Sequence, residues 1–323
     1  MSYAPSINWS LALALGGTGS RGLPEVDSRQ VQQLVADLRV TARRAGELAA
    51  ARLGVDSPGA SRISVVDWAG WGRAVRSMIE ATVHELDLPR RPAGPLNRVR
   101  GAGNAVLLGA GLRMASRRLL GQFDAYTGSD TLYLVAPTIV AHERSHGFVP
   151  SDFRLWVALH EQTHALQFRA APWLRAWIAE RAQTVFEDDA PPLPGLVAWA
   201  RTGDLASMLA TGEAGEALGE LVAAMTFLEG HADHTADNAG RGHVRTVRAL
   251  RKAFTRPKGA SGLGRLSSSL DKSAQYRDGL AFCDRITALK GRAALMAAFA
   301  QPGNLPRPEE ITEPGRWLDR VDG

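Results

Sequence analysis

The stretch SDFRLWVALHEQTHALQF (151–168) decides the fold that this sequence predicts. It contains no Gly or Pro, and apolar residues surround the pattern His-Glu-x-x-His at 160–164. Asp152 lies in the first turn, where a carboxylate favours the helix N-terminus, and Ser151 can cap that end. The stretch therefore predicts a long, buried helix that carries the His-Glu-x-x-His pattern at its middle.

This pattern on a helix suits a metal ion. Residues i and i+4 are about 40° apart around a helix, so the imidazoles of His160 and His164 can reach the same Zn²⁺. Glu161 can then face a water molecule on that ion as general base. Because a carboxylate and two histidines are costly in an apolar helix, a metal gives them the partner they need.

The same pattern occurs a second time, earlier in the chain, as HERSH (142–146). Gly147 and Pro150 follow it directly and end any helix there. Arg144, inside the pattern, indicates exposure to solvent. We therefore expect His142 and His146 to lie at an exposed helix end and to hold no metal.

A catalytic zinc ion normally takes a third protein ligand, and the segment FLEGHADHTAD (227–237) offers one. Glu229 and Asp233 are four residues apart, so one carboxylate can bind the metal while the other orients a ligand histidine. His231 and His234 are competing ligands. However, His231 lies about 200° from Glu229 around a helix, so those two cannot easily bind one ion.

A hydrolase also needs a donor for the negative oxygen that develops on the carbonyl of its substrate. His231 or Tyr276 could donate that hydrogen bond.

The remaining pattern predicts a mainly α-helical α+β chain that forms a single domain over 1–323, because apolar helices recur without a low-complexity linker. The alternating stretch QFDAYTGSDTLYLVAP (122–137) predicts a β-hairpin and is the only good strand signal. We expect loops at 89–104 and an extended tail at 302–315. Helices are predicted at 27–53, 72–88, 105–120, 152–171, 173–187, 196–201, 204–238, 243–255 and 270–300.

Composition limits the class of protein and its partners. The single cysteine, Cys283, favours a reducing compartment, and we expect a cytoplasmic location. No stretch approaches the roughly 20 apolar residues of a membrane helix, and no nucleic-acid-binding motif accompanies the net charge of +5. The basic run RGHVRTVRALRKAFTRPKG (241–259) predicts a solvated amphipathic helix or a positive wall for an anionic substrate.

Four segments together resemble a bacterial family of zinc-dependent metalloproteases or hydrolases, one branch of which is labelled as associated with deazaflavin coenzyme biosynthesis. They are DFRLWVALHEQTHALQF, FLEGHADH, LYLVAPTIVA and QYRDGLAFCD, and the resemblance runs from INWSLA (7–12) to WLDRV (317–321). It implies a zincin-like fold with a small sheet beside the helix. It also implies His160, His164 and Glu229 as zinc ligands and Glu161 as general base.

These features predict a zinc-dependent hydrolase, in particular a peptidase, which acts on a peptide or other amide substrate. The alternative is a non-catalytic, zinc-stabilised scaffold or binding protein associated with deazaflavin coenzyme metabolism. An open coordination position on the metal favours the enzyme, and a closed one favours the scaffold.

Overall fold

The computed structural model describes residues 4–17, 27–85, 94–116, 118–187, 213–255 and 272–322, of which 255 and 272–277 are described in their backbone only. The chain divides into two compact units. The first comprises Met1–Ala51, Asp56–Leu166 and Gly242–Arg245, and the second comprises Arg52–Val55, Gln167–Arg241 and Thr246–Gly323. The prediction of a single domain over 1–323 stays a prediction.

The first unit contains helices and a small sheet, and the last residues of its second and sixth helices belong to the second unit. In chain order the elements are α1 (Trp9–Gly17), α2 (Ser28–Leu53), β1 (Arg62–Val66), α3 (Trp68–Glu85), α4 (Pro95–Ser116), β2 (Gly121–Phe123), β3 (Thr131–Val135), α5 (Ala136–His146) and α6 (Pro150–Ala170).

The sheet has the strand order β1-β3-β2. β2 and β3 are antiparallel, with Gly121 opposite Leu134, so the predicted hairpin is confirmed. β1 runs parallel to β3, with Arg62 opposite Thr131. The hairpin is the only good strand signal in the sequence, but the sheet also contains β1, so that expectation is wrong. β1 has no clear signal because it is short and its partner, β3, lies far along the chain.

Helix α6 confirms the predicted buried helix, because most of its apolar side chains are buried, Phe153 and Leu159 completely. Its buried amide, Gln162, is satisfied by the backbone, since it accepts from the Ala60 N–H at 2.7 Å and donates to the Ala42 carbonyl at 2.9 Å. The helix begins at Pro150 and not at Ser151, because proline suits the first helical position.

The second unit is helical throughout its described part. Its core contains Leu174, Phe227, Phe282, Phe299 and Trp317. The elements are α7 (Leu174–Glu187), α8 (Glu213–Ala239), α9 (Val247–Thr255), α10 (Lys272–Lys290), two 3₁₀ helices (Arg292–Phe299 and Pro302–Asn304), α11 (Pro308–Thr312) and α12 (Pro314–Asp322).

Several predicted boundaries differ from the structure. The tail at 302–315 is not extended, since prolines begin three short helices there, and Pro95 likewise begins α4 inside the predicted loop. The predicted helix at 270–300 breaks at Gly291, and the helix predicted from 243 begins at Val247 after a series of turns. The predicted helix at 196–201 and the start of the one at 204–238 lie outside the described residues.

The mainly helical α+β fold with its small sheet is confirmed. Among the described helices, none has both the length and the apolar character needed to cross a bilayer.

Candidate metal centre

The two histidines of the second His-Glu-x-x-His pattern converge on one point. Their Nε2 atoms are 3.2 Å apart, and the rings meet edge to face with centroids 4.9 Å apart. Both side chains are half-buried, whereas the neighbouring Leu159 and Ala165 are fully buried. The expectation of two buried histidines is therefore wrong. The helix is buried over most of its length, but part of His160 and His164 remains exposed.

Glu161 is buried, with 8% of its surface exposed, and it lies against the first residue of β2. A Cβ atom added at Gly121 would be 2.8 Å from the carboxyl carbon of Glu161. This separation is shorter than ordinary van der Waals contact, so only glycine fits here without displacing the carboxylate. The predicted position of the sheet next to the His-Glu-x-x-His helix is confirmed.

The buried side-chain amide of Gln167 connects the last turn of α6 to α8 by a hydrogen bond. Gln167, three residues after His164, donates to the Leu228 carbonyl at 2.8 Å, and its amide nitrogen is 3.1 Å from Nδ1 of His231. Leu228 directly precedes Glu229. The amide therefore holds the segment around Glu229 at the end of the helix that carries both histidines.

His160, His164 and Glu229 form a potential metal site. Each offers one ligand atom, and these atoms all lie within 4.8 Å of one another. It is the only group of three or more His, Cys, Asp or Glu side chains with this geometry in the described ranges.

The donor set fits zinc. Two imidazole nitrogens and a carboxylate are common ligands of Zn²⁺, whereas Mg²⁺ and Ca²⁺ prefer oxygen alone. Ligand atoms about 2.0–2.1 Å from a tetrahedral ion are about 3.3 Å from each other. The observed 3.2 Å between the two Nε2 atoms is close to that value.

The first copy of the pattern is arranged differently. Helix α5 ends at His146, and Gly147 adopts φ 63°, which ends the helix as predicted. Arg154 donates to both oxygens of Glu143, at 2.7 and 2.9 Å. Glu143 is buried, unlike the exposed His146, and this corrects the expectation of a wholly exposed helix end. Its carboxylate is neutralised by Arg154.

Asp233 is held by an arginine in the second unit. Arg251 donates to the carboxylates of Asp233 and Asp237, and its distances to the two Asp237 oxygens are 2.8 and 3.1 Å. Burial disfavours the charged guanidinium, but the two carboxylates outweigh burial and raise the pKa of Arg251 above its ordinary value. The role of Asp233 in orienting a ligand histidine stays a prediction.

In its described part the basic run at 241–259 consists of a series of turns followed by an amphipathic helix that begins at Val247. Val244 and Leu250 are buried, and Arg251 is neutralised by acids. Arg245 and Arg248 are exposed. The role of the run as a positive wall for an anionic substrate stays a prediction.

The other predicted residues lie outside the three-residue group. His231 is 1% exposed and packs against the rings of Phe227 and Phe299, with centroids 5.7 and 5.1 Å away. His234 is 2.7 Å from Asp284 through its Nδ1. The contact of His231 with an oxyanion stays a prediction. Tyr276 lies on α10, and its side chain is outside the described residues.

A helix with two histidines, a neighbouring small sheet and a carboxylate from a later helix are the features expected of a zincin-like protein. The sequence pattern of the zincin-like metallopeptidases matches residues 7–318, so the chain belongs to that family. A crystal structure from Chloroflexus aurantiacus, described as that of "a putative hydrolase with a novel fold", is similar to this chain. The similarity has a TM-score of 0.71 at 26% sequence identity and covers 98% of this chain and 99% of that one. A comparison with curated proteins found no match.

Proposed function

We propose that this protein is a zinc-dependent hydrolase that cleaves a peptide or another amide bond. The observation that carries the proposal is the group of His160, His164 and Glu229, whose ligand atoms lie within 4.8 Å of one another, with Glu161 next to His160 on the same helix. Membership of the zincin-like metallopeptidases supports it.

In this proposal the three side chains would hold the metal and Glu161 would move the proton. When bound, a zinc ion would make a water molecule more acidic and polarise the carbonyl of the substrate. The carboxylate of Glu161 would take the proton from that water and later give it to the leaving nitrogen. Because Glu161 is 8% exposed and packs against Gly121, its carboxylate needs little rearrangement to do so.

The test compares metal content and cleavage in one set of proteins. Purified protein, loaded with zinc and dialysed, is analysed by elemental mass spectrometry and then incubated with a peptide library whose products are identified by mass spectrometry. We expect one zinc ion per chain and cleavage by the wild type. Glu161→Gln should keep the zinc and lose the cleavage, because an amide cannot accept the proton.

The first copy of the pattern provides the matched control. Glu143→Gln is the same substitution at the equivalent position, and it should keep both zinc and cleavage when assayed well below its unfolding temperature. Zinc bound by the wild type without cleavage of any peptide would favour the zinc-stabilised scaffold. Full activity in Glu161→Gln would show that another group acts as the base.

A further inference from the structure

The second unit contains a pocket of about 190 Å³ that the proposed chemistry does not use. His231, His234 and Thr235 of α8 line it, together with Arg52 at the end of α2 and Arg292 at the start of the first 3₁₀ helix. The volume is below the roughly 300–1,000 Å³ of pockets for drug-sized ligands, so it suits a small group.

This pocket lies on a different face of α8 from the proposed zinc ligand. His234, His231 and Thr235 are about 140°, 200° and 240° from Glu229 around the helix. The residues of α8 that line the pocket therefore lie on a different side of the helix from the proposed zinc ligand.

The pocket collects positive charge. Arg52 lies in the last turn of α2, two residues before Gly54, and Arg292 directly follows Gly291, so the end of one helix and the start of another each bring an arginine to the pocket. Burial, followed by the charges of Arg292 and Arg241, lowers the pKa of Arg52 below its ordinary value. Arg52 is half-buried, whereas Arg292 and Arg241 are exposed, so water and salt screen part of the repulsion among them, and a bound anion would offset the rest.

None of these three arginines forms an ion pair with an acid in the part of the chain that the structure describes. His234, which lines the pocket, is 2.7 Å from the carboxylate of Asp284, whose side chain is 60% exposed. That carboxylate is thus engaged by the histidine, and the positive charge of the arginines is not balanced.

Thr235 provides a second, independent indication of a ligand. Its side chain is 1% exposed, and its hydroxyl has no hydrogen-bond partner among the described residues. A threonine within a helix often donates to the carbonyl four residues earlier, which this one does not do. A buried hydroxyl without a partner is costly, and an acceptor in the pocket would remove that cost.

We propose that this pocket binds a small, multiply charged oxyanion, either a phosphoryl group or a dicarboxylate. The guanidinium groups of Arg52 and Arg292 bind its oxygens, Thr235 donates its hydroxyl, and Arg241 adds to the attraction. Guanidinium groups match the geometry of both kinds of anion, because they can donate two parallel hydrogen bonds. The site does not depend on zinc or on hydrolysis.

Isothermal titration with inorganic phosphate and with malonate, at an ionic strength fixed by sodium chloride, tests the site. We expect the wild type to bind an anion. The anion that binds more tightly shows whether the site is suited to a phosphoryl group or to a dicarboxylate. Arg52→Gln and Arg292→Gln should each weaken binding by about tenfold or more, the usual consequence of losing a hydrogen bond between charged groups. Thr235→Val should weaken it severalfold, because the shape is kept and only the hydroxyl is lost.

The matched control is Arg248→Gln, which removes the same charge from an exposed arginine of the same unit. It should bind the anion as the wild type does. Without anion, Arg52→Gln should unfold at the same temperature as the wild type or higher, since it relieves repulsion, and this separates lost binding from lost folding. No binding of either anion at millimolar concentration, or equal binding by Arg52→Gln, Arg292→Gln and the control, would overturn the site.

Glu161→Gln should bind the anion as tightly as the wild type. A failure of the hydrolase proposal would therefore leave this site intact, and a failure of this site would leave the hydrolase proposal intact.

Discussion

The Nε2 atoms of His160 and His164 lie 3.2 Å apart, one turn from each other on α6. If both nitrogens are unprotonated, their lone pairs face each other and repel, so this distance requires either a shared proton or a shared cation. A carboxylate ligand atom from Glu229 lies within 4.8 Å of both. A cation bound by all three satisfies every one of these groups.

His160→Ala or His164→Ala should therefore abolish zinc binding, because each removes one of three protein ligands. Metal content after extensive dialysis measures the effect, and circular dichroism confirms that the variants are folded. The double variant His142→Ala with His146→Ala should keep its zinc, because α5 ends at His146 and Glu143 is paired with Arg154. Zinc lost by the double variant and kept by the single ones would reverse the choice of copy.

Gly121→Ala should impair hydrolysis without removing zinc. The new methyl group would be 2.8 Å from the carboxyl carbon of Glu161, so either the carboxylate or β2 must move. A displacement of about 1 Å can cost up to about 100-fold in rate, so kcat should fall by roughly 10- to 100-fold while metal content stays unchanged. Steady-state kinetics on a substrate from the library measures this.

Gly111→Ala is the control for this prediction. A Cβ atom at Gly111, an exposed position on α4, meets nothing within 4 Å. This variant should keep its activity and gain up to about 1 kcal/mol in the free energy of unfolding, because alanine favours the helix. Unchanged kcat in Gly121→Ala would mean that Glu161 does not depend on this contact.

Asp233→Asn should weaken zinc affinity by about 10- to 100-fold if Asp233 orients a ligand histidine. Competition with a chelator measures the affinity. Arg251→Met is the comparison, because it leaves the buried carboxylate of Asp233 and the half-buried one of Asp237 without their cation and should lower the free energy of unfolding by roughly 3–5 kcal/mol. If both variants lose stability and neither loses zinc affinity, Asp233 is a structural partner of Arg251 only.

Local signals indicate the parts of the fold that the sequence predicts correctly and the three side chains that the structure brings together. Helix α6 is a long stretch without Gly or Pro, and the β2–β3 hairpin alternates around a turn. The segment around Glu229 is recognisable because its polar residues interrupt an apolar helix. In each case the information lies within about 20 residues of sequence.

The features of the structure that the sequence does not predict depend on contacts between residues far apart in the chain. β1 is too short to recognise without its parallel partner β3, and nothing near Gly121 indicates that Glu161 packs against it. The pocket that contains Arg52 and Arg292 joins the end of one helix to the start of another. No pattern within either segment indicates the other.

The C-terminal helices provide a prediction about pH. Arg320 binds both oxygens of Glu310, at 2.6 and 2.7 Å, and the Arg307 N–H donates to the same carboxylate at 2.8 Å. Burial raises the pKa of Glu310, but the hydrogen bonds from Arg320 and Arg307 outweigh burial and lower the pKa below its ordinary value of 4.5. The ionised form of Glu310 is therefore the one that stabilises the fold.

Glu310→Gln should lower the free energy of unfolding at pH 7, because a neutral amide cannot form these charged bonds. A carboxylate whose pKa is lowered in the folded protein stabilises it fully above its ordinary value, and that contribution is lost as the pH falls through the lowered pKa. The difference between wild type and variant in chemical denaturation should thus be constant from pH 7 to about pH 5 and shrink below pH 4.5. Glu309→Gln, which changes the neighbouring exposed glutamate, should show little difference at any pH. A difference for Glu310→Gln that stays constant down to pH 3 would show that the charge of Glu310 does not stabilise the C-terminal helices.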